Sequence, residues 1–441
     1  MRIFTETPNI NNYFILGDKR KINSLIPKRI TYLDRLVNGK LLVGSMWNKI
    51  YRPHSIIVTA LIFVFIGFLE LIRLNTHFLD PFNHGVQEYE ITDIVYTQLG
   101  NHKTVVDPAI RLVHIGEPDR LEIARMIDRL SEAGAKVIGL DVMLTGRKDV
   151  ETDFILRESI KKAGNVVLAS ELFNLTADQT QFEGLTSTDS LFAAEASLGY
   201  VNFPSNHTKT IRYFSPKEII SGDTAYAFSM QVLRQYAPQA FKQVMGRDNE
   251  VEKIHYIGNR HSFIPTPKEI VLDSTIDLSR IVKDKIVLMG YVAEKETENP
   301  LRDRFYTPLN KDYAGKSIPD MYGVAIHANI LSMVLNERYI KEIPHWLLWG
   351  LIILFCYANV FFIHGIYASF HPAFHGITRS LQLVECMLLF FLIGLLFYYF
   401  RIQIDFGTGI LALLLAYDII MIYESFFLKK LPFLQRIKDN F

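Results

Sequence analysis

The chain has 441 residues, and 47 Lys and Arg against 46 Asp and Glu give a formal net charge of +1. This near-neutral balance lacks the basic excess of nucleic-acid-binding proteins, so we do not expect nucleic acid to be a partner. Hydrophobic residues make up 49% of the chain, but the longest apolar runs lie near residue 60 and after residue 345. The sequence therefore predicts two kinds of segment, membrane-spanning and water-soluble.

The N-terminal segment, residues 1–54, holds ten Lys and Arg against three Asp and Glu. Within it, residues 30–43 (ITYLDRLVNGKLLV) have the apolar spacing of an amphipathic helix on the inner membrane surface. The alternative is a partly ordered basic anchor without a dedicated partner. No catalytic motif occurs in this segment.

Four apolar runs are long enough to cross a hydrocarbon layer of about 30 Å. The first, residues 55–72, holds one charge, Glu70, and begins too far along the chain for a cleaved signal peptide, so it predicts an uncleaved signal anchor. The other three runs are residues 346–364, 381–399 and 406–423. We therefore expect the chain to be embedded in the lipid bilayer through one N-terminal and three C-terminal helices.

The predicted orientation follows from the basic residues at the two ends. The tail, residues 424–441, carries Lys429, Lys430, Arg436 and Lys438, and the positive-inside bias places this tail and the basic N-terminal segment in the cytoplasm. An even number of spans agrees with this placement. Residues 73–345 are then predicted to be extracytoplasmic, which means periplasmic if the source is Gram-negative.

Three polar residues fall within the C-terminal apolar runs: Asn359, Glu385 and Asp418. An isolated charge inside a span costs roughly 2.5 to 3.5 kcal/mol on insertion scales, so Asp418 is predicted to be protonated or paired. Counting about 1.5 Å per residue puts all three in the inner leaflet, where they could form one polar layer. Such a layer could fix the bundle through hydrogen bonds or take a signalling or proton-linked role.

The segment 73–345 contains short β-rich apolar runs separated by helical patterns. Residues 110–115, 137–142, 166–169 and 286–290 predict buried strands, and residues 119–133 predict a helix with Asp119 as its N-cap and Gly134 as its stop. Strand, helix and strand form a βαβ unit, which predicts an α/β fold with a parallel or mixed sheet covered by helices. Further predictions are strands at 199–203 and 254–257, a helix at 323–336, and a polar surface loop at 176–189.

Asp141 ends the second predicted strand, where side chains of α/β sheets commonly meet a ligand crevice. The acidic residues Asp149, Glu151 and Asp153 follow it closely. Asp141 could contact a ligand, act in catalysis, help to hold a metal, or simply accept hydrogen bonds in a turn or helix cap. These alternatives stay open from the residues alone.

Two further residues are candidates for ligand binding. Arg212 could clamp an anionic ligand, or it could pair with a carboxylate such as Asp141. His327 lies among apolar residues, which favours a core histidine over a ligand or a pH sensor. No nucleotide, metalloprotease or hydrolase motif is present, so we expect no cofactor, no metal and no enzymatic activity.

Several segments taken in order resemble the second-type CHASE sensor domain, a cyclase- and histidine-kinase-associated extracellular sensory domain of bacteria. These segments are GAKVIGLDVML (134–144), VVLAS (166–170), GYVNF (199–203) followed by Arg212 and Pro216, KDKIVLMG (283–290), Thr307-Pro308, and GVAIHANIL (323–331). The resemblance covers roughly residues 85–340. It implies an extracytoplasmic sensory module in a bacterial inner (plasma) membrane protein.

Members of this family usually feed a C-terminal cytoplasmic output domain, whereas only about 18 residues follow the fourth predicted span here. We therefore expect a sensor or regulatory subunit that passes its signal through the transmembrane bundle to a separate cytoplasmic effector. The alternatives are a scaffolding component of an envelope complex, bound to another envelope protein, and an extracytoplasmic enzyme built around Asp141. A homodimer is left open as an assembly.

Overall fold

The computed structural model describes residues 52–73, 90–99, 105–175, 182–204, 210–293, 303–310, 318–369 and 374–431. The amphipathic helix predicted at 30–43 lies outside these residues. The chain divides into two compact units. The domain unit comprises Ile66–Ile352 and Leu381–Leu411, and the bundle unit comprises Met1–Phe65, Ile353–Ser380 and Ala412–Phe441.

The helices differ widely in length, and the longest are the apolar ones. In chain order they are α1 (Arg52–Arg73), α2 (Ile91–Ile94), α3 (Arg120–Glu132), α4 (Val150–Ala163), α5 (Ser190–Ala193), α6 (Phe228–Tyr236), α7 (Pro238–Arg247), α8 (Lys268–Leu272), α9 (Ser279–Val282), α10 (Gly323–Leu335), α11 (His345–Ser369), α12 (Phe374–Phe400), α13 (Gly407–Ile422) and α14 (Leu428–Lys430). Single π-helical turns continue α2 (Val95–Leu99) and α13 (Tyr423–Phe427).

The strands are mostly short. They are β1 (Ile110–His114), β2 (Val137–Leu140), β3 (Val166–Leu175), β4 (Phe182–Ser187), β5 (Ser197–Tyr200), β6 (Tyr213–Phe214), β7 (Lys217–Ile220), β8 (Asp223–Tyr226), β9 (Glu252–Lys253), β10 (Pro265–Pro267), β11 (Ile286–Gly290), β12 (Arg304–Phe305), β13 (Met321–Tyr322), β14 (Lys341–Glu342) and β15 (Ile402–Gln403).

In the described part of the chain, the main sheet is mixed and has nine strands in the order β10-β1-β11-β2-β3-β4-β7-β8, with β5 also paired to β3. The strands β10, β1, β11, β2, β3 and β5 pair in parallel, whereas β3–β4 and β7–β8 are antiparallel. β11 lies between β1 and β2, so the ends of these three strands lie side by side. The mixed sheet covered by helices confirms the predicted α/β fold.

Both faces of the sheet are buried, which explains why its central strands read as unbroken apolar runs. Along β11, Ile286 and Leu288 belong to one hydrophobic cluster, and Val287 and Met289 belong to the other. This alternation follows from the two-residue period of a strand. α6 and α10 contribute to the first cluster and α3 and α4 to the second, so the domain unit has three layers.

The helix predicted between the first two strands is confirmed with its ends. Asp119 is the N-cap of α3, and its carboxylate accepts a hydrogen bond of 2.7 Å from the Glu122 backbone N–H. Gly134 follows the helix with φ at +84°, a left-handed conformation that glycine adopts without steric cost.

Two local predictions are wrong. The predicted loop at 176–189 contains β4, because Phe182 and Leu185 pack against the core cluster and the strand pairs with β3. The predicted strand at 254–257 is irregular, because its backbone bonds elsewhere: the Ile257 N–H donates to the Asn329 side chain at 2.9 Å. The Asn329 side chain of α10 therefore accepts the hydrogen bond that a neighbouring strand would otherwise accept.

Among the residues that the structure describes, four helices are long and apolar enough to cross a membrane, as predicted: Pro53–Leu71, His345–His364, His375–Phe400 and Gly407–Lys430. The third begins six residues before its predicted run and the fourth ends seven residues after its predicted run, since helix continues into flanking polar sequence.

The end of α12 packs into the domain unit. Val95, Tyr96, Ile340, Gly394 and Phe397 form this contact, which we call the juxtamembrane cluster. The Tyr96 and Phe397 rings are 5.5 Å apart in an edge-to-face arrangement. Beyond the cluster, β14 pairs in parallel with β15, which directly follows α12.

Within the bundle unit, polar side chains join α1 to the other two helices. His54 Nδ1 lies 2.5 Å from the Tyr423 hydroxyl, and the Ser55 hydroxyl lies 3.4 Å from His364 Nδ1. His54, Ser55 and His364 are buried. Buried polar contacts of this kind are typical of helix packing in membranes.

Candidate functional site

A cleft with a volume of about 380 Å³ opens where β1, β11 and β2 end. Gly116 follows β1, Tyr291 follows β11, and Asp141 follows β2, and all three line the cleft. Because these strands are parallel and adjacent, their carboxyl ends bring the three following segments to one edge of the sheet. The sheet topology thus places Asp141 at the kind of position where α/β folds bind ligands.

Asp141 shares the cleft with a second carboxylate, Asp303. The Asp141 backbone N–H donates to the Met289 carbonyl oxygen at 2.8 Å, which fixes the residue beside β11. Burial, together with the nearby negative charge of Asp303, raises the pKa of Asp141 well above its ordinary value. Such a carboxyl group holds a proton more firmly than a solvated one and gains from a neighbouring cation.

Asp303 also lies at the start of α10. Its carbonyl oxygen accepts a hydrogen bond of 3.0 Å from the Gly323 N–H. A Cβ atom at Gly323 would be only 3.0 Å from Asp303 Oδ1, so the missing side chain leaves room for this carboxylate against the first turn. The positive end of the helix dipole favours a negative charge there.

The other charged groups on the cleft are Glu117, Arg120 and Lys148. Arg120 forms a buried ion pair with Asp153, whose side chain is 3% exposed. Two of the acidic residues after Asp141 therefore have structural roles: Asp153 holds Arg120, and Asp149 caps α4 by accepting from the Thr152 N–H at 3.0 Å.

Arg212 lies away from the cleft in a buried cluster of charges. Its Nη2 atom is 2.6 Å from Asp93 Oδ2, and its Nε atom is 3.6 Å from Glu90 Oε1. Lys253 also contacts Glu90. Burial alone would raise the pKa of Glu90, but Lys253 and Arg212 stabilise the charged form, so this pKa is lowered. Arg212 thus pairs with carboxylates of the segment after α1, not with Asp141.

His327 lies inside α10, between the rings of Phe203 and Phe228 at 4.9 and 5.1 Å. The described residues offer no hydrogen-bond partner to its Nδ1 atom. Burial lowers the pKa of His327 to about 3. The structure places it in the core as a neutral side chain, apart from Asp141 and Arg212.

The burial of His327 predicts a pH-dependent stability. An unfolded chain binds a proton at this histidine near its ordinary pKa of about 6.5, whereas the folded chain does so only near 3, so stability is lost as pH falls below about 6.5. Between pH 6 and 4, the free energy of unfolding of the wild-type protein should therefore fall relative to that of a His327→Leu variant. The expected difference is up to about 1.4 kcal/mol per pH unit. Hydrogen exchange of β11 amides in the full chain measures this difference.

The comparison with the variant is needed because Asp320 titrates with the opposite sign. Burial raises the pKa of Asp320 to about 6, so this group stabilises the fold as pH falls. The exposed His261 provides a matched control, and His261→Leu should leave the pH slope unchanged. Equal slopes for wild type and His327→Leu would contradict the prediction.

The polar residues of the apolar helices lie in both units. Asp418 is in the bundle unit, where it forms an ion pair with Arg379, and the Arg379 guanidinium lies 4.5 Å from the centre of the Tyr417 ring. Asn359 is buried on α11, and Glu385 is half-buried on α12 in the domain unit. The predicted layer of Asn359, Glu385 and Asp418 stays a prediction.

Two residues of these sites escaped the sequence analysis. Asp303 is far from Asp141 in sequence, and nothing in the pattern joins them. Arg379 precedes the predicted span 381–399 by two residues, so that span does not include it. The sequence does contain a signal for the pair of Arg379 and Asp418. A charged residue lies just before one apolar run, and a residue of opposite charge lies inside a later run.

The protein thus combines an α/β domain that has a ligand-sized cleft with apolar helices that can cross a membrane. A model of the CHASE2 domain family matches residues 59–362, which is more than half of the chain. The chain belongs to the CHASE2 family of sensory extracellular domains, as its sequence segments predicted. Searches of curated proteins and of solved structures found no significant match.

Proposed function

We propose that this protein is a membrane-anchored sensor or regulatory subunit that passes a signal through its transmembrane bundle to a separate cytoplasmic partner. In this proposal, residues 73–345 lie outside the cytoplasm and both ends lie inside, in a bacterial inner membrane. The basic residues at both ends support this orientation. Asp141 is assigned a binding role and not a catalytic one.

The observation that carries the proposal is the course of α10, which begins at the cleft and leads towards α11 and α12. Its first residue, Gly323, contacts Asp303 of the cleft. Its last turn is followed by Ile340 of the juxtamembrane cluster and then by β14. β14 pairs with β15, and the Lys341 N–H donates to the Arg401 carbonyl oxygen at 2.8 Å.

α10 is suited to transmit a displacement. Its residues from Gly323 to Val334 are buried, and a close-packed helix moves as a unit because its neighbours leave no free volume. A ligand that binds two arrangements of this helix unequally would shift their populations. Without such a difference in affinity, nothing would be transmitted.

The juxtamembrane cluster offers a direct test. A Cβ atom at Gly394 would be 3.4 Å from Val95 Cγ2, an atom in the position that a cysteine Sγ can take, so the Val95→Cys and Gly394→Cys pair should form a disulfide with little backbone movement. The natural Cys356 and Cys386 are replaced by alanine in this background. The tagged full chain is then isolated from native membranes, oxidised or reduced, and its partners are identified by mass spectrometry.

We expect the same cytoplasmic protein to be recovered with the oxidised and with the reduced chain. Its yield should differ about fivefold or more between the two, a ratio that corresponds to the lower end of typical allosteric coupling energies. The two single-cysteine variants are matched controls and should show no redox effect. Repeated isolation without any cytoplasmic partner would refute the proposal. So would a partner recovered equally from the locked and the reduced protein.

A further inference from the structure

We infer that the domain unit binds the phosphate group of an anionic phospholipid through the guanidinium groups of Arg338 and Arg401. Arg338 follows α10 and Arg401 follows α12, and both belong to the domain unit. This inference goes beyond the proposed sensory function, because it assigns a lipid ligand to the end of the domain where the apolar helices begin. It holds whether or not the chain passes on a signal.

Backbone hydrogen bonds bring the two arginines to the same place. The Arg401 N–H donates to the Phe397 carbonyl oxygen at 2.9 Å, and the Arg401 carbonyl oxygen accepts from the Lys341 N–H at 2.8 Å. Lys341 lies three residues after Arg338. The Arg338 N–H in turn donates to the carbonyl oxygen of Met333, in the last turn of α10, at 2.8 Å. The end of α10, the start of β14 and the end of α12 therefore meet at these two residues.

The charges of both arginines act on one side chain, His255. Its backbone N–H donates to Met333 Sδ at 3.2 Å, and its ring centre lies 6.3 Å from that of Tyr96 in the juxtamembrane cluster. Burial, together with the nearby positive charges of Arg401 and Arg338, lowers the pKa of His255 to about 4. The two guanidinium groups therefore lie close to the same point, next to the contact between α12 and the domain.

Neither arginine has a counter-charge in the described part of the chain. No ion pair or side-chain hydrogen bond involves them there, and the Arg401 Nε atom is buried without an acceptor. The acidic residues nearest to them in sequence, Glu337, Glu342 and Asp405, are exposed and form no ion pair with either. Arginines that are only partly exposed are normally paired. This pair therefore calls for an anion that the described residues do not supply.

The surrounding surface points to a lipid headgroup as the source of that anion. The exposed fractions of Trp346, Tyr399 and Phe400 are 76%, 69% and 61%. Trp346 lies at the start of α11, and Tyr399 and Phe400 lie at the end of α12, close in sequence to the two arginines. Tryptophan and tyrosine are enriched where a bilayer meets water, at the level of the headgroups. The arginines therefore lie at the depth at which phospholipid phosphates are found.

A phosphate group suits two neighbouring guanidinium groups. Each guanidinium is a planar fork that can bind phosphate through two parallel hydrogen bonds, and clusters of basic residues beside apolar helices select anionic lipids. The headgroup of phosphatidylglycerol has a net negative charge, whereas the choline group of phosphatidylcholine neutralises its own phosphate. The site should therefore favour phosphatidylglycerol over phosphatidylcholine.

A bound lipid should also stabilise the strand pair at this site. β14 and β15 pair in parallel directly beside the two arginines, and the like charges of these arginines repel each other when no anion is present. One phosphate group held by both guanidinium groups removes that repulsion and links the end of α10 to the end of α12. Anionic lipid should therefore slow the opening of this strand pair.

The test is native mass spectrometry of the full chain in maltoside micelles, which contain no phosphate. The protein is titrated with phosphatidylglycerol or with phosphatidylcholine of the same acyl chains. We expect phosphatidylglycerol to be retained with an affinity about tenfold higher than that of phosphatidylcholine. Arg338→Gln and Arg401→Gln should each lower the affinity for phosphatidylglycerol by about tenfold, the loss expected for one charge-assisted hydrogen bond.

Two controls separate a defined site from general charge attraction and from a site for a soluble anion. Lys341→Gln removes an exposed positive charge from the same part of the surface and should leave the affinity for phosphatidylglycerol almost unchanged. Inorganic phosphate, added at constant ionic strength, should not displace the lipid, because it lacks the acyl chains that hold a lipid at the apolar helices.

Hydrogen exchange of the wild-type chain in nanodiscs provides a readout that requires no substitution. The amides of residues 338–343 and 401–404 should exchange more slowly in phosphatidylglycerol nanodiscs than in phosphatidylcholine nanodiscs. The amides of β11, in the core of the domain, should exchange equally in both. This comparison decides the matter even where an arginine variant does not fold.

Four results would overturn the inference: equal retention of the two lipids, an equal loss of affinity in Lys341→Gln and in the arginine variants, displacement of the lipid by inorganic phosphate, or equal exchange at residues 338–343 in the two kinds of nanodisc. Displacement by phosphate would identify the site as one for a soluble anion. None of these results bears on the proposed function, which fails separately if no cytoplasmic partner is recovered.

Discussion

Replacing Arg212 with methionine should lower the free energy of unfolding of the domain unit by about 3–5 kcal/mol, the usual cost of removing one partner from a buried ion pair. The Arg212 and Asp93 side chains are 2% and 6% exposed. Without the guanidinium, Asp93 would stay buried with an uncompensated charge. Because the cluster holds the segment after α1, hydrogen exchange at residues 91–99 should accelerate as well.

Arg280 provides the matched control. Its side chain is 86% exposed and pairs with Asp277 on the surface, where such pairs contribute roughly 0 to 1 kcal/mol. Arg280→Met should therefore leave the unfolding midpoint of the full chain in detergent almost unchanged. If both variants unfold at the same midpoint, the buried charge cluster does not stabilise the fold as argued. A double Arg212→Met, Asp93→Leu variant should recover much of the loss.

Gly199→Ala should destabilise the domain unit by about 1–3 kcal/mol, in the range of overpacked cores. A Cβ atom at this position would be 2.5 Å from the Cα atom of Phe228 and 2.9 Å from its backbone nitrogen. Both contacts are to backbone at the start of α6, so no side chain can rotate away. Either β5 or α6 has to shift, and α6 packs against the sheet through its buried face.

Gly246→Ala is the control, because nothing lies within 4 Å of a Cβ atom there. Gly246 is inside α7, where alanine stabilises a helix by about 0.5–1 kcal/mol relative to glycine. The two substitutions add the same methyl group and should shift the unfolding midpoint in opposite directions. A Gly199→Ala protein that melts at or above the wild-type midpoint would contradict the close packing of β5 on α6.

The buried elements were predictable from the sequence because burial on both faces leaves a strong local signal. β1, β2 and β11 appear as short apolar runs, and α3 is marked by its cap and stop residues. The membrane helices were predictable because each is an apolar run long enough to cross the hydrocarbon layer. β4 was not, since its only two large apolar residues, Phe182 and Leu185, are three positions apart in a segment that is polar overall.

Of the two carboxylates that line the cleft, only that of Asp141 was predictable from the sequence. Asp141 is placed by the end of β2, a local feature, whereas Asp303 reaches the cleft through its contact with α10. The partners of Arg212 could not be read from the pattern either, because Asp93 is 119 positions away in sequence. Pairings of this kind depend on the completed fold.

The short pairing of β14 with β15 limits how the membrane helices can move. It ties the residues just before α11 to those just after α12, so these two helix ends are held together. Sliding one helix along the other by a single residue, about 1.5 Å, would put the pairing out of register. We therefore expect these two helix ends to move together and not to slide past each other along their axes.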